Sequence, residues 1–336
     1  MKSESSIQAS EFDPKQPVPQ PLLKGPLAQL LEWQAMAEGA YSPNTLRVQK
    51  ADGAIFQAFC ESRSESYLPA DPKTIRAFIE DCVKAGKKPA TIKRYVATIA
   101  RAHIAAGLLN PCSSEAVRLG LKRMGRETYA RQDQAHPLGW KEIKEFIESA
   151  GIGLRADRER AMLCVAYETL ARRGELVALK VKDIDFHPDG TGTALIRRGK
   201  TDAEGQGRSA YLSRETVRWL KIWLEHAGIG EGVLFRRLIG QNQIGGSLSP
   251  GSIAPIFKRV AQWIGMPERY LKLVSGHATR VGATQDLAAL DIDLAAITQA
   301  GGWKSTRMPL QYAEKIHASR SGMAKAAEKT GRDWIV

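Results

Sequence analysis

What this chain has little of narrows its chemistry first. Four cysteines, Cys60, Cys82, Cys112 and Cys164, are spread over 336 residues with no Cys-x-x-Cys pair. That spacing supports neither a disulfide framework nor a zinc ribbon, and none of the six histidines stands at zinc-finger distance. The expectation is small buried thiols in a reducing compartment, and no metal. No run of about 18 uncharged apolar residues occurs, so no membrane-spanning helix is expected. The first residues, Met1-Lys-Ser-Glu-Ser-Ser, lack the apolar core of a secretory signal, which makes the cytoplasm the expected location.

Acidic residues are the next shortfall. The 36 Asp and Glu face 49 Lys and Arg, leaving +13, an excess that points to a polyanionic partner. An anionic membrane surface is the competing reading. Otherwise the composition, 43% hydrophobic and 25% charged, is that of a globular protein with ample material for packed cores. The length suits two domains.

Pro14, Pro17, Pro19 and Pro21 among polar neighbours predict a disordered or extended arm over 1–25. Helical spacing then dominates 26–124. Ser42-Pro43 and Asp71-Pro72 read as N-caps followed by proline in the first turn, Pro89 opens a helix that ends at Gly107, and a last short helix covers 113–124. A polar stretch without apolar periodicity, closed by Pro137, marks a linker at 125–137. The second domain, 138–336, opens with helices at 140–150 and 156–171. Strands follow at 183–186, 193–197 and 209–212, joined by His-Pro-Asp-Gly-Thr-Gly and a Gly-rich tip at 203–208. Everything after that reads as helical, at 214–226, 250–264, 277–290, 293–300, 305–315 and 320–329. The expected fold is mainly α, a helical domain followed by an α+β domain with a small three-stranded antiparallel β-sheet.

Positive charge is uneven. Residues 81–131 carry eleven Lys or Arg against Asp81, Glu115 and Glu127, so a sixth of the chain holds most of the net excess. Lys87, Lys88, Lys93 and Arg94 lie at and just inside a helix N-terminus, a place suited to phosphate contact; Lys122, Arg123 and Arg126 extend the patch. In the second domain, Lys258 and Arg259 on the 250–264 helix are candidates for DNA contact. A solvated charged face is the plainer account of such a run.

Phosphoryl transfer needs an in-line nucleophile, cations on the non-bridging oxygens and a proton for the leaving oxygen. The second domain offers each kind. His277 and Arg280, in Ser275-Gly-His277-Ala-Thr-Arg280-Val-Gly, are three apart on a predicted helix and share a face. Alternatively His277 caps or packs, and Arg280 pairs with an acid such as Asp286. Arg172 and Glu175 share a face in the same way, as a surface ion pair worth little unless Leu170, Leu176 and Leu179 bury the turn. Arg173 is the adjacent competitor. Lys200, in Arg198-Gly-Lys200-Thr-Asp, stands at the mouth of the hairpin, as a general acid or a solvated lysine. Gly-Lys-Thr is no P-loop here, because the required glycine five residues before Gly199 is Ala194. Tyr312 and Trp303, each alone, read as core aromatics.

Together these residues resemble the tyrosine recombinase (phage integrase) family, and within it the Cre-like branch. The resemblance rests on Ala171-Arg172-Arg-Gly-Glu175-Leu, the hairpin Lys200, Ser275-Gly-His277-Ala-Thr-Arg280-Val-Gly-Ala-Thr-Gln-Asp286-Leu, Gln299-Ala-Gly-Gly-Trp303 and Tyr312. It covers about residues 165–315, and the helical basic first half is similar to the family's core-binding domain. It implies that Arg172 and Arg280 clamp a scissile DNA phosphate, Lys200 protonates the leaving oxygen and His277 assists proton movement. Trp303 would contact the phosphate, Glu175 would support the site, and Tyr312 would attack to give a 3′-phosphotyrosyl link and a free 5′-hydroxyl. By the same resemblance the partners are inverted-repeat sites in double-stranded DNA. The chain would act there as a homotetramer, through a Holliday junction, without metal, ATP or other cofactor, in the nucleoid. The tail helix at 320–329 would dock into a neighbouring subunit or simply fray.

Three other functions fit parts of this pattern. A relaxing topoisomerase or telomere resolvase would use the same tyrosine and differ in its products. A metal-dependent nuclease would use Asp183-x-Asp185, both carboxylates on one side of a predicted strand, or Asp291-x-Asp293. A non-catalytic DNA-binding protein would explain the charge and leave the Arg-Lys-His-Arg-Trp-Tyr order unexplained.

Overall fold

The computed structural model describes residues 25–128, 134–197, 207–240 and 243–332. The arm expected at 1–25 (Gly25 apart), the centre of the linker, Lys200 and most of the Gly-rich tip lie outside the described residues. The chain divides into two compact units, Met1–Arg131 and Gln132–Val336.

Four helices of the first unit begin on proline: α1 (Pro26–Ala37), α2 (Pro43–Glu61), α3 (Pro72–Lys84) and α4 (Pro89–Ala105). Proline lacks only an N–H that the first turn leaves unpaired anyway, and its fixed φ suits the helix. Ser42 Oγ accepts from the Thr45 N–H (3.1 Å) and Asp71 Oδ1 from the Lys73 N–H (2.7 Å), capping α2 and α3 as expected. Ser114 caps α5 (Glu115–Glu127), which runs three residues beyond the expected end at 124 and shortens the linker accordingly. Gly125 is accommodated inside the helix, with Met124 buried beside it. The core gathers Phe56, Ile75, Phe78, Ile79, Ile92, Ile99 and Val117, with the Phe78 ring 5.1 Å from those of Phe56 and Phe59.

The second unit is built around α7 (Leu154–Glu168), buried nearly all round. Beside it lie α6 (Trp140–Ser149) and α9 (Arg214–His226), whose Trp223 is fully buried and donates to Leu234 O (2.9 Å). A short helix, α8 (Arg173–Ala178), precedes the expected sheet of β1 (Ile184–Phe186), β2 (Gly192–Ile196) and β3 (Arg208–Leu212). These strands pair antiparallel in the order β1-β2-β3, and Ala194, Ile196 and Leu212 turn into the core.

Beyond α9 the expectation of helices alone is wrong. β4 (Arg236–Ile239) and β5 (Gln243–Ser247) form a second antiparallel pair. Gln-Ile-Gly-Gly-Ser carries little strand propensity. Gly245 is there because the Arg237 stem occupies the space a Cβ would need, 2.6 Å from Cγ. Then come α10 (Ile253–Trp263), the unforeseen α11 (Glu268–Leu271), α12 (Ala278–Ala289) and α13 (Leu294–Ala300). The single helix expected at 305–315 is two, α14 (Arg307–Tyr312) and α15 (Glu314–Ser319), separated at Ala313, whose methyl is buried with Ala288 and Ile297. Pro309 is the third residue of α14, inside the first turn, where it breaks no hydrogen bond. The chain continues into α16 (Gly322–Lys329).

α12 is fixed from three directions. Leu138 N donates to Ala278 O (3.0 Å), and Trp140 N and Tyr167 Oη each donate to Asp286 Oδ2 (2.8 Å). Gly282 allows the approach, since a Cβ there would overlap the Leu138 and Gly139 backbone. No described helix is long and apolar enough to cross a membrane.

Candidate active site

The site begins where α7 stops. Leu170 takes a left-handed φ of 47°, a conformation that costs a non-glycine residue about 1–2 kcal/mol, and the turn makes Arg172 the N-cap of α8. From there the Arg172 backbone N–H donates to Glu175 Oε2 (3.0 Å) and its Nη1 to Oε1 (2.7 Å). The carboxylate is 4% exposed and the guanidinium 23%, so this is a sheltered, two-bonded pair rather than a surface one. Arg173 points past Gly276 and is exposed.

His277 is the N-cap of α12 and is exposed; Arg280 lies one turn further in and is 2% exposed. The two also meet electrostatically. Partial desolvation, then the charges of Arg280, Arg173 and Arg172, hold the imidazole below its ordinary value, so His277 is neutral at neutral pH.

Arg280 donates to Leu170 O and, at 2.7 Å, to Gly301 O, and its guanidinium lies 4.0 Å from the centroid of the Trp303 ring. Burial pulls it down to about 9, with Arg172 acting in the same direction and Glu175 and Tyr312 opposing, so it remains a cation at pH 7. Gly301 is required because a Cβ would strike the Trp303 ring, and Gly302 turns with φ +60°. The Trp303 ring meets that of Tyr312 edge-on, centroids 6.2 Å apart. Tyr312 closes α14 half-buried, its carbonyl accepting from Gln285 Nε2 (3.0 Å) and Gln134 Nε2 (3.1 Å).

Arg172, Glu175, Arg280, Trp303 and Tyr312, separated by up to 140 positions in sequence, thus form one cluster with His277 at its rim. Lys200 lies outside the described residues. The Asp pairs do not make a metal site. Asp183 is buried in the turn before β1, accepting from Lys180 N (3.0 Å) and Arg197 Nε (2.5 Å), while Asp185 is exposed. Asp291 pairs with Arg320, and Asp293 caps α13. Burial lifts the Cys60 and Cys82 thiols to about 11, which makes them inert fillers.

The sequence pattern of the Phage integrase family matches residues 136–318, more than half of the chain. The chain belongs to this family of tyrosine recombinases. Among curated relatives, this integrase-family chain is 26% identical to "Recombinase cre" of Escherichia phage P1, over 86% of this chain and 89% of that protein. It is 30% identical to the "Integrase/recombinase xerD homolog" of Selenomonas ruminantium, over 83% of each. Its fold is similar to the solved Tn1549 transposon integrase in complex with circular intermediate DNA. That match has a TM-score of 0.61 and 17% identity, and covers 87% of this chain and 98% of that one.

Of the basic residues singled out for DNA contact, Lys87, Lys88, Lys93, Lys122, Arg126 and Lys258 are exposed. Arg94 is held by both oxygens of the buried Asp52 (2.7 and 2.8 Å) and Arg259 by Glu159, so both guanidinium groups are already partly engaged. Arg123 lies 3.8 Å from Glu80. The residues sequence reasoning missed are Arg208, Gln285 and Gln134, which contact the site through main-chain carbonyls. A bond of that kind leaves no mark on residue spacing, so no signal in the sequence points to them.

Proposed function

We propose that this chain is a site-specific DNA recombinase in which Tyr312 is the nucleophile. The observation that carries the reading is the continuous contact Arg280–Trp303–Tyr312 beside the Arg172–Glu175 pair. Through the Trp303 ring it links a phenol to a cation that the fold buries, with Arg172 held by Glu175 as the second cation. Arg280 spends only part of its donor set on carbonyls, and Arg172 is partly open, so each retains N–H groups for a phosphate. Tyr312 Oη attacks phosphorus and loses its proton, the P–O5′ bond breaks, and the leaving oxygen takes up a proton, from Lys200 by the resemblance. Charge developing on the phosphate oxygens is offset by Arg172 and Arg280, with neutral His277 available to accept or relay a proton. The 3′-phosphotyrosyl ester keeps the energy of the broken bond, so a 5′-hydroxyl of a second duplex can reverse the step without ATP or metal. Two such exchanges pass through a Holliday junction, which calls for four protomers on paired inverted-repeat sites. Exposed Lys87, Lys88 and Lys93 at the start of α4 and Lys258 on α10 supply phosphate contacts.

Two differently labelled duplexes test this, each carrying a site selected by binding from a random library. Hybrid duplexes are the expected product. Relaxed plasmid without exchange would indicate a topoisomerase, hairpin ends a resolvase, and binding alone a non-catalytic protein.

A further inference from the structure

Two arginines from different elements bind the same pair of loops. Arg280 on α12 reaches Leu170 O and Gly301 O. Arg208, the first residue of β3, donates through Nη2 to Thr169 O (2.5 Å) and through Nη1 to Ala300 O (2.9 Å). Each guanidinium therefore spans from the turn that presents Arg172 to the loop that presents Trp303, on neighbouring carbonyls. The Arg208 stem also explains a glycine: a Cβ on Gly302 would lie 2.8 Å from Arg208 Cδ and Nε.

The two loops need such a tether. Leu170 holds a left-handed φ without being glycine, and the Gly301–Gly302 pair has no side chain to pack. Arg208 also lies within the electrostatic reach of the cluster, where Glu175 favours its charge and Arg172 opposes it. It stands on the strand that leads out of the hairpin bearing Lys200.

We propose that Arg208 is a positioning residue for DNA cleavage, keeping the Arg172 turn and the Trp303 loop at the separation that the phosphate and Tyr312 require. The proposal rests on the recombinase reading above. It differs from a role in general stability, because the tethered carbonyls belong to the two loops that carry reacting groups.

The test compares the full chain with Arg208→Met, Arg208→Lys and the control Arg160→Met. Arg160 is buried, where Arg208 is partly so, and it too donates to carbonyls, those of Ile147 and Ala150, in another part of the unit. Hydrogen exchange on the free protein should quicken at 168–172 and 299–304 in Arg208→Met and not in Arg160→Met. On a nicked duplex carrying the selected site, at saturating DNA, Arg208→Met should form covalent adduct about 100-fold more slowly at unchanged Kd. Arg208→Lys should recover part of the rate, and Arg160→Met should keep it. Unaltered exchange at both loops, or wild-type cleavage by bound Arg208→Met, overturns the proposal. If the wild type itself makes no adduct, the recombinase reading fails, and the exchange rates still decide whether Arg208 tethers the loops.

Discussion

Replacing Glu175 by glutamine should cost stability and activity together, and the geometry sets the size. The carboxylate accepts two bonds from one residue, the Arg172 N–H at 3.0 Å and Nη1 at 2.7 Å. Glutamine keeps one acceptor oxygen and must point an NH2 at the other donor. Removing one partner of a fully buried pair costs about 3–5 kcal/mol. Water reaches the 23% exposed guanidinium and lowers that to roughly 2 kcal/mol. For a unit of this size about 2–4 °C of Tm accompanies each kcal/mol, so Glu175→Gln should melt roughly 4–8 °C lower. The informative assay is a double-mutant cycle with Arg172→Met, read by thermal or urea unfolding. If the pair is as described, the double variant is little worse than Glu175→Gln, giving a coupling of about 1.5 kcal/mol or more. Additivity within about 0.5 kcal/mol would refute the reasoning. Adduct formation should fall in all three variants, since each frees or removes the Arg172 guanidinium.

Gly282→Ala places a methyl against the Leu138 and Gly139 backbone, which cannot yield as a side chain would. Despite a gain of about 1 kcal/mol in helix propensity, a net loss of about 2 kcal/mol is expected by urea unfolding, and a neutral result would contradict the account of how α12 is seated. His103 accepts from the Ala70 N–H at Nε2 (2.9 Å) and hydrogen-bonds Ile99 O through Nδ1 (2.8 Å), and burial holds it below the ordinary 6.5. Protonation therefore favours the unfolded chain: stability is intact above pH 6.5 and falls as pH drops from there. His226, raised by its hydrogen bond to Asp157, acts the other way, its contribution present at low pH and lost as pH rises through its folded value. The Tm of His103→Gln should fall less steeply from pH 7 to 5 than that of wild type; equal slopes would remove His103 from the explanation. Gln285→Ala and Gln134→Ala each remove one of the two bonds to the Tyr312 carbonyl, and together should slow adduct formation about 10-fold at unchanged DNA affinity.

Local signals were legible in the sequence because they act over a few residues. Ser42-Pro43, Asp71-Pro72 and Pro89 mark helix starts by chemistry that works within one turn, and the turn sequence His-Pro-Asp-Gly-Thr-Gly marks the hairpin between the first two strands. β5 escaped because Gln-Ile-Gly-Gly-Ser has little strand propensity of its own, and the packing of the Arg237 side chain against Gly245 leaves no mark on the local pattern. The break at Ala313 escaped for a similar reason: an alanine is a good helix former, and its burial beside Ala288 and Ile297 is a tertiary contact that local spacing does not carry. At the site, the order Arg, Glu, His, Arg, Trp, Tyr pointed to a cluster. Whether His277 lay in the helix or before it depends on one backbone step that spacing does not resolve. The carbonyl-binding residues Arg208, Gln285 and Gln134 were invisible for the reason that their partners are main chain and carry no residue identity.

The central claim is that Tyr312 is the nucleophile, and covalent capture tests it most directly. Wild type and Tyr312→Phe would be incubated in EDTA with a nicked duplex carrying the selected site, denatured in SDS and separated, with the adduct mapped by peptide mass. The account predicts an SDS-resistant adduct on the peptide containing Tyr312, formed by wild type and absent from Tyr312→Phe although both bind the duplex. An adduct that persists in Tyr312→Phe, or binding with no adduct from either protein on a duplex proven to be the target, would contradict it.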